Sequence, residues 1–136
     1  MIHKPMFERL ILCEYAVADL TSANANVFYE LGVRHTCKQT GCVLIAADWS
    51  KPLFDVAQMR RLTYSMTEES IGEATAAKIR EKLKVGIPAL LAGESPVYQV
   101  LPGFPNQVDA SRASSMRKTL TQLSDFQAKV RAVRRV

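Results

Sequence analysis

The sequence predicts a three-layer α/β fold built on a parallel sheet and followed by a long C-terminal helix. Three observations carry this. Two short, uninterrupted apolar runs, residues 15–18 and 42–47, each stop at an aspartate, Asp19 and Asp48. Such runs fit strands buried on both faces, as a parallel sheet requires. Between them, Val27, Phe28, Leu31 and His35 recur at helical spacing, so strand, helix and strand form a right-handed βαβ unit. From Asp109 onward a third pattern begins, with Met116, Leu120, Leu123, Phe126 and Val130 as a narrow apolar stripe.

The elements follow in order. Residues 5–14, PMFERLILCE, read as a helix: Pro5 suits a first turn, and Met6, Leu10 and Cys13 share a face. The first strand is followed by a polar turn whose Thr21, Ser22, Asn24 and Asn26 are all N-cap types for the next helix. Residues 38–41 turn the chain into the second strand. The loop 49–55 returns to the same sheet edge, and Asp55 caps a short helix through Arg61. Residues 62–66 make a third, short strand. A helix is expected over 68–85, with Ala76, Ile79 and Leu83 on one face, Gly72 as its weak spot and Gly86-Ile87-Pro88 as its end. Residues 89–93 match no single pattern. Pro96, Pro102, Gly103 and Pro105 make 95–105 a loop with an extended piece at 97–101.

A chain of 136 residues is long enough for one domain with its own core, and 48% apolar with 23% charged residues is ordinary for a globular protein. No apolar run approaches the roughly 20 residues that span a bilayer. Glu8, Arg9 and Glu14 interrupt the N-terminal apolar residues, which excludes a secretory leader. Cys13, Cys37 and Cys42 are odd in number and lack CxxC spacing, so they read as reduced thiols of a cytoplasmic protein rather than a disulfide or zinc framework. No metal and no cofactor is expected. Residues 109–136 carry seven basic and two acidic side chains, which accounts for the whole net charge of +5. The chain therefore divides into an α/β domain, 1–108, and a basic amphipathic helix, 109–136. No aromatic interleaving supports nucleic-acid binding by that helix. Packing, self-association or a protein partner explains the stripe better, and the helix is expected to matter more for association or solubility than for the fold.

The apolar strand, Asp19-Leu20-Thr21 and then Asn24-Ala25-Asn26-Val27-Phe28-Tyr29-Glu30-Leu31-Gly32 resemble the signature of the nucleoside 2-deoxyribosyltransferase-like superfamily. More narrowly, the chain resembles bacterial relatives of the TRAFs-binding domain that precedes the kinase in apoptosis-signal-regulating MAP kinase kinase kinases. The resemblance continues through strand 42–47 and through Pro52-Leu53-Phe54-Asp55-Val56 to Arg60-Arg61-Leu62-Thr63-Tyr64. It fades after Tyr64, with an echo at residues 95–100. It implies a Rossmann-like, flavodoxin-like sheet, and family members carry a further strand and helix ahead of the segment matching residues 6–14. By that resemblance the first βα unit is missing here.

The candidate site residues lie where strands end and helices begin, the edge at which open α/β sheets bind ligands. The resemblance implies that Glu30 is a nucleophile attacking the anomeric carbon of a nucleoside. On spacing alone, Glu30 and Arg34 form a surface ion pair at i, i+4. Asp19 either holds a sugar hydroxyl or a water, or accepts turn N–H groups as an Asx-type cap. Thr21, Asn24 and Asn26 either meet a phosphate at the helix N-terminus or act as plain caps. Tyr29 is pocket wall or core. Asp48 and Asp55 flank the loop at the same edge and serve either as ligand contacts or as turn and cap residues. Arg60 and Arg61 are phosphate contacts or solvated surface, and His35 reads as a packed helix histidine.

Three functions compete. The first is a nucleotide- or nucleoside-binding regulatory or signalling module. The second is an enzyme that cleaves or transfers N-glycosidic bonds, with Glu30 as nucleophile and Asp19 beside it. The third is a protein-interaction module without a small ligand, acting through helix 109–136. A membrane role is not expected.

Overall fold

The computed structural model describes residues 4–53, 56–67 and 71–134. Internal contacts divide the chain into two units, Met1–Val100 and Leu101–Val136.

The first unit is a mixed α/β fold in the order α1 (Lys4–Leu12), β1 (Ala16–Asp19), α2 (Ala25–Cys37), β2 (Cys42–Ala47), β3 (Arg61–Tyr64), α3 (Glu73–Leu90) and α4 (Pro96–Val100). The three strands lie side by side in the order β1-β2-β3. Both pairings are parallel: Ala16 sits opposite Cys42 and Asp19 opposite Ile45, while Leu44 sits opposite Arg61 and Ala47 opposite Tyr64. The expected parallel pair is therefore present, with a third strand beside it.

Strand β2 is the middle layer. Its side chains alternate between two cores, as the pleat requires. Leu44 joins Leu20, Leu31 and Val56, with Val27 and Phe28 of α2 packed on them. Val43, Ile45 and Ala47 join Tyr64 on the other face, under Ile79, Leu83 and Ile87 of α3. The sheet thus has a helix on each side, the three-layer, Rossmann-like arrangement.

Strand β1 departs from the expectation of burial on both faces. Val17 is 49% exposed, whereas Ala16 and Ala18 are partly covered. β1 is an edge strand and packs on α2 alone among the helices of the principal contacts. An apolar run by itself does not distinguish an edge strand from a central one.

Helix α3 starts at Glu73, with Gly72 as its N-cap, and runs through Gly86 and Pro88 to Leu90. The predicted end at 86–88 was wrong. Pro88 lies in the final turn, where its missing N–H forfeits one intrahelical bond. Ile87 and Leu90 pack onto the core on that side, which offsets the loss. Gly86 has a separate reason to be there. A Cβ built on it would stand 2.6 Å from Leu62 Cδ2, so glycine lets α3 approach β3 closely.

Residues 96–100 form the short helix α4 in place of the expected extended piece. Pro96 occupies the first helical position, where it needs no N–H partner. Buried Ser95 anchors the start: its N–H donates to Gln39 O at 2.6 Å and its hydroxyl to Lys38 O at 2.7 Å. The expected short helix through Arg61 is not formed either, because Arg61 begins β3. Its proposed cap, Asp55, lies outside the described residues, as do residues 68–70 at the predicted start of α3.

The second unit holds one long helix, α5 (Ala110–Val133), as expected from Asp109 onward. Asp109 caps it, accepting from Ser111 N–H at 2.8 Å and from the Ser111 hydroxyl at 2.6 Å. Those bonds, the hydroxyl first, hold the Asp109 carboxyl below its ordinary value. Among the described residues, no helix is long and apolar enough to cross a membrane.

Candidate functional site

Because all three strands run the same way, their carboxyl ends fall at one edge. β1 delivers Asp19 there, β2 delivers Asp48 just after Ala47, and β3 delivers Tyr64 and then Ser65.

Thr21 joins these ends. Its backbone N–H donates to Asp19 Oδ1 at 2.9 Å, and its hydroxyl donates to the same oxygen. The Thr21 oxygen in turn accepts the N–H of Ala47 at 2.9 Å. Tyr64 donates its phenol to Asp19 Oδ2 at 2.8 Å, and the same phenol lies 3.0 Å from Thr21 Oγ1. Two hydroxyl protons therefore serve three oxygen contacts, with the carboxylate as the common acceptor. The Asx-type reading of Asp19 is realised by the Thr21 N–H. The remaining capacity of the carboxylate goes to tying β1 to β3.

The phenol of Tyr64 is pushed above its ordinary value, first by burial. The Thr21 contact opposes this, and the hydrogen bond and charge of Asp19 add to it. Tyr64 thus stays protonated and remains a donor. A second layer surrounds this cluster. Asp48 N–H donates to Tyr64 O at 2.9 Å, and Asp48 Oδ2 accepts from the Ser65 hydroxyl at 2.7 Å. Ser50 donates its hydroxyl to Thr21 O at 3.1 Å, pinning the following loop to the end of β1.

Beside the cluster a groove of about 520 Å³ opens between the end of β3 and α3. Asp48, Tyr64 and Ser65 wall one side, and Thr75, Lys78 and Lys82 the other. Its volume is within the roughly 300–1,000 Å³ of small-molecule sites. Lys78 and Lys82 lie one turn apart, and neither has an ion-pair partner among the described residues. The groove therefore offers a carboxylate for hydroxyl groups and two ammonium groups for an anion.

The other predicted residues lie along α2 and do not join the hydrogen-bonded cluster. Asn24 is the N-cap, its Oδ1 accepting Asn26 N–H at 2.9 Å, so its side chain serves the helix. Asn26 is exposed. Tyr29 packs edge-on against Phe7 of α1, with ring centroids 6.4 Å apart. Glu30 is half-buried and has no hydrogen-bond or ion-pair partner among the described residues. The predicted Glu30–Arg34 surface pair does not form. Arg34 is 1% exposed and gives its guanidinium to backbone carbonyls: Leu10 at 2.8 Å, Cys13 and Glu14 at 2.7 Å, and Gly41 at 3.2 Å. These are the free carbonyls at and beyond the C-terminal end of α1, where a cation is favoured.

His35 is a packed helix histidine, 7% exposed, as expected. Burial first, and the charge of Arg34 second, lower its pKa from 6.5. Sequence reasoning did not single out Tyr64, Lys78 or Lys82 as site residues. Tyr64 was signalled by its place at the end of a strand parallel to the two that carry Asp19 and Asp48. The lysines were signalled by their i, i+4 spacing on the helix that covers β3.

Fold and site define a three-layer α/β protein with a polar cluster and a cationic groove at the carboxyl edge of a parallel sheet. Comparison with family models, curated proteins and solved structures finds no match for this chain.

Proposed function

We propose that the chain is a nucleoside- or nucleotide-binding regulatory module whose ligand sits at the carboxyl edge of the sheet. The observation that carries this is the groove itself: Asp48 and Tyr64 at the strand ends face Lys78 and Lys82 on α3. Asp48 suits a sugar hydroxyl, and the lysines suit a phosphate as point charges. The resemblance of residues 15–64 to the deoxyribosyltransferase-like superfamily favours the same ligand class, by analogy of fold rather than by chemistry. The engaged Asp19 carboxylate favours binding over catalysis. Calorimetric titration with a panel of nucleosides and nucleotides tests the reading. Binding without turnover is expected, with Lys78→Ala and Lys82→Ala weakening phosphorylated ligands selectively. No binding by any member of the panel would overturn it.

A second reading, N-glycosidic cleavage or transfer with Glu30 as nucleophile, is favoured by one observation. The half-buried Glu30 carboxylate is spent on no neighbour among the described residues. Such chemistry needs an ionised carboxylate facing an oxocarbenium-like centre. Glu30→Gln should then abolish release of free base while leaving binding intact. Chromatography that detects no base released by the unmodified protein removes this reading.

Helix α5 supports an association role, with a second copy or a protein partner. Met116, Leu120, Leu123 and Phe126 are each more than half exposed. Sedimentation of the chain and of Leu123→Lys distinguishes the cases: a monomer in both argues against self-association.

A further inference from the structure

A second cavity lies at the opposite, amino edge of the sheet. It measures about 590 Å³ and is bounded by the first residues of β2, the approach to β3, the end of α3 and the start of α4. Its interior is largely apolar, with Leu44, Met59 and Leu90 among its walls. One polar side chain breaks that surface. His35 lines the cavity, is 7% exposed and has no hydrogen-bond partner among the described residues. The one sealed side-chain nitrogen or oxygen without a partner among the described residues is Arg34 Nε, so the imidazole nitrogens are open to the cavity. A buried polar group of this kind is ordinarily satisfied within the fold or by what binds there.

Two charges stand at the same cavity. Arg60 is exposed and without an ion-pair or hydrogen-bond partner among the described residues. Glu94 gives its Oε1 to Gln39 Nε2 at 2.7 Å and keeps Oε2 free. One guanidinium and one carboxylate thus accompany an apolar chamber with a single imidazole. A lone anion or a lone cation would satisfy only one of them. A molecule carrying both charges on one small head, with a flat apolar body, matches the set.

From this geometry we infer that the cavity binds a zwitterionic small molecule of the α-amino-acid class with an aromatic side chain. The carboxylate pairs with Arg60, the ammonium pairs with Glu94, and the ring lies against Leu44, Met59 and Leu90. A ring hydroxyl or N–H reaches His35. Burial and Arg34 keep that imidazole neutral, so one of its nitrogens accepts. Arg60 supplies the planar fork that carboxylates prefer. This site is separate from the groove at Asp48, and its occupancy does not depend on nucleotide binding.

Calorimetry on the full chain tests the inference with L-phenylalanine, L-tyrosine and L-tryptophan. 3-Phenylpropionate, which lacks the ammonium, and phenethylamine, which lacks the carboxylate, serve as controls. At least one amino acid is expected to bind, with both controls weaker by about tenfold or more, the scale of one charge-assisted hydrogen bond. Arg60→Gln and Glu94→Gln, both at exposed positions, should each weaken the amino acid by about tenfold. Glu94→Gln should leave 3-phenylpropionate unchanged. The His35 ring resonances should shift on titration, which locates the ligand without mutating a buried residue. No binding of any amino acid at millimolar concentration overturns the inference. So do equal affinities for the amino acids and their singly charged analogues, which would mark the chamber as a plain apolar void.

Discussion

Glu30 and Arg34 lie one turn apart on α2, yet the guanidinium of Arg34 turns inward to four backbone carbonyls and leaves the carboxylate unpaired. The arginine clasps the end of α1, the entry to β1 and the turn at Gly41 to a single point. Gly41 is required beside it. Its φ is +82°, and a Cβ there would meet Glu14 O at 2.5 Å.

Arg34→Met should therefore destabilise the protein by about 3 kcal/mol or more, because buried carbonyls lose their donor. Glu30→Gln, in contrast, should stay within about 0.5 kcal/mol, the scale of surface changes. Urea unfolding of both variants checks this. Equal losses would restore the ion-pair reading.

Thr21→Val removes the acceptor of the Ala47 N–H and a donor to Asp19 together. A loss of about 2 kcal/mol is expected, the scale of an unsatisfied buried group. Tyr64→Phe takes one donor from Asp19, which keeps its Thr21 bonds, so about 1 kcal/mol is expected. The double variant should lose less than the sum of the two, since the pair share one carboxylate. Additive losses would show that the three side chains act separately.

Gly86→Ala sets two effects against each other. Alanine is favoured in a helix by about 1 kcal/mol, whereas overpacking costs about 1–3 kcal/mol. With Leu62 Cδ2 at 2.6 Å from the added carbon, overpacking should win and the variant should melt earlier. In a Leu62→Ala background the same change should become stabilising. Destabilisation of the same size in both backgrounds would place the strain elsewhere.

His35 links stability to pH. Its folded-state pKa is lowered below the ordinary 6.5, so between those values the unfolded chain binds more protons than the folded one. Stability then rises with pH through this window and is lost as pH falls below about 6.5. The Tm should drop between pH 7 and pH 5.5, before carboxylates titrate. His35→Gln should flatten that part of the curve, and an unchanged slope would assign it to another group.

Much of this architecture was legible in the amino-acid order. Periodicity alone separates the runs at 15–19 and 42–47 from the helix between them, because a strand repeats every two residues and a helix every 3.6. Parallel pairing follows from the helix length between them, and it carries Asp19 and Asp48 to one edge. The capping role of Asn24 and the start of α5 at Asp109 are equally local, since a cap needs only its own next few N–H groups.

What local signals suggested at Gly86-Ile87-Pro88 was overruled by packing of Ile87 and Leu90 on β2 and β3. The short helix at 96–100 forms because Ser95 is held by the distant backbone of Lys38 and Gln39. The partner of Arg34 was decided in the same way. Spacing places Glu30 within reach, but burial puts the guanidinium among carbonyls from a separate helix and turn. A buried cation follows the strongest set of acceptors that folding brings to it, and sequence distance does not measure that.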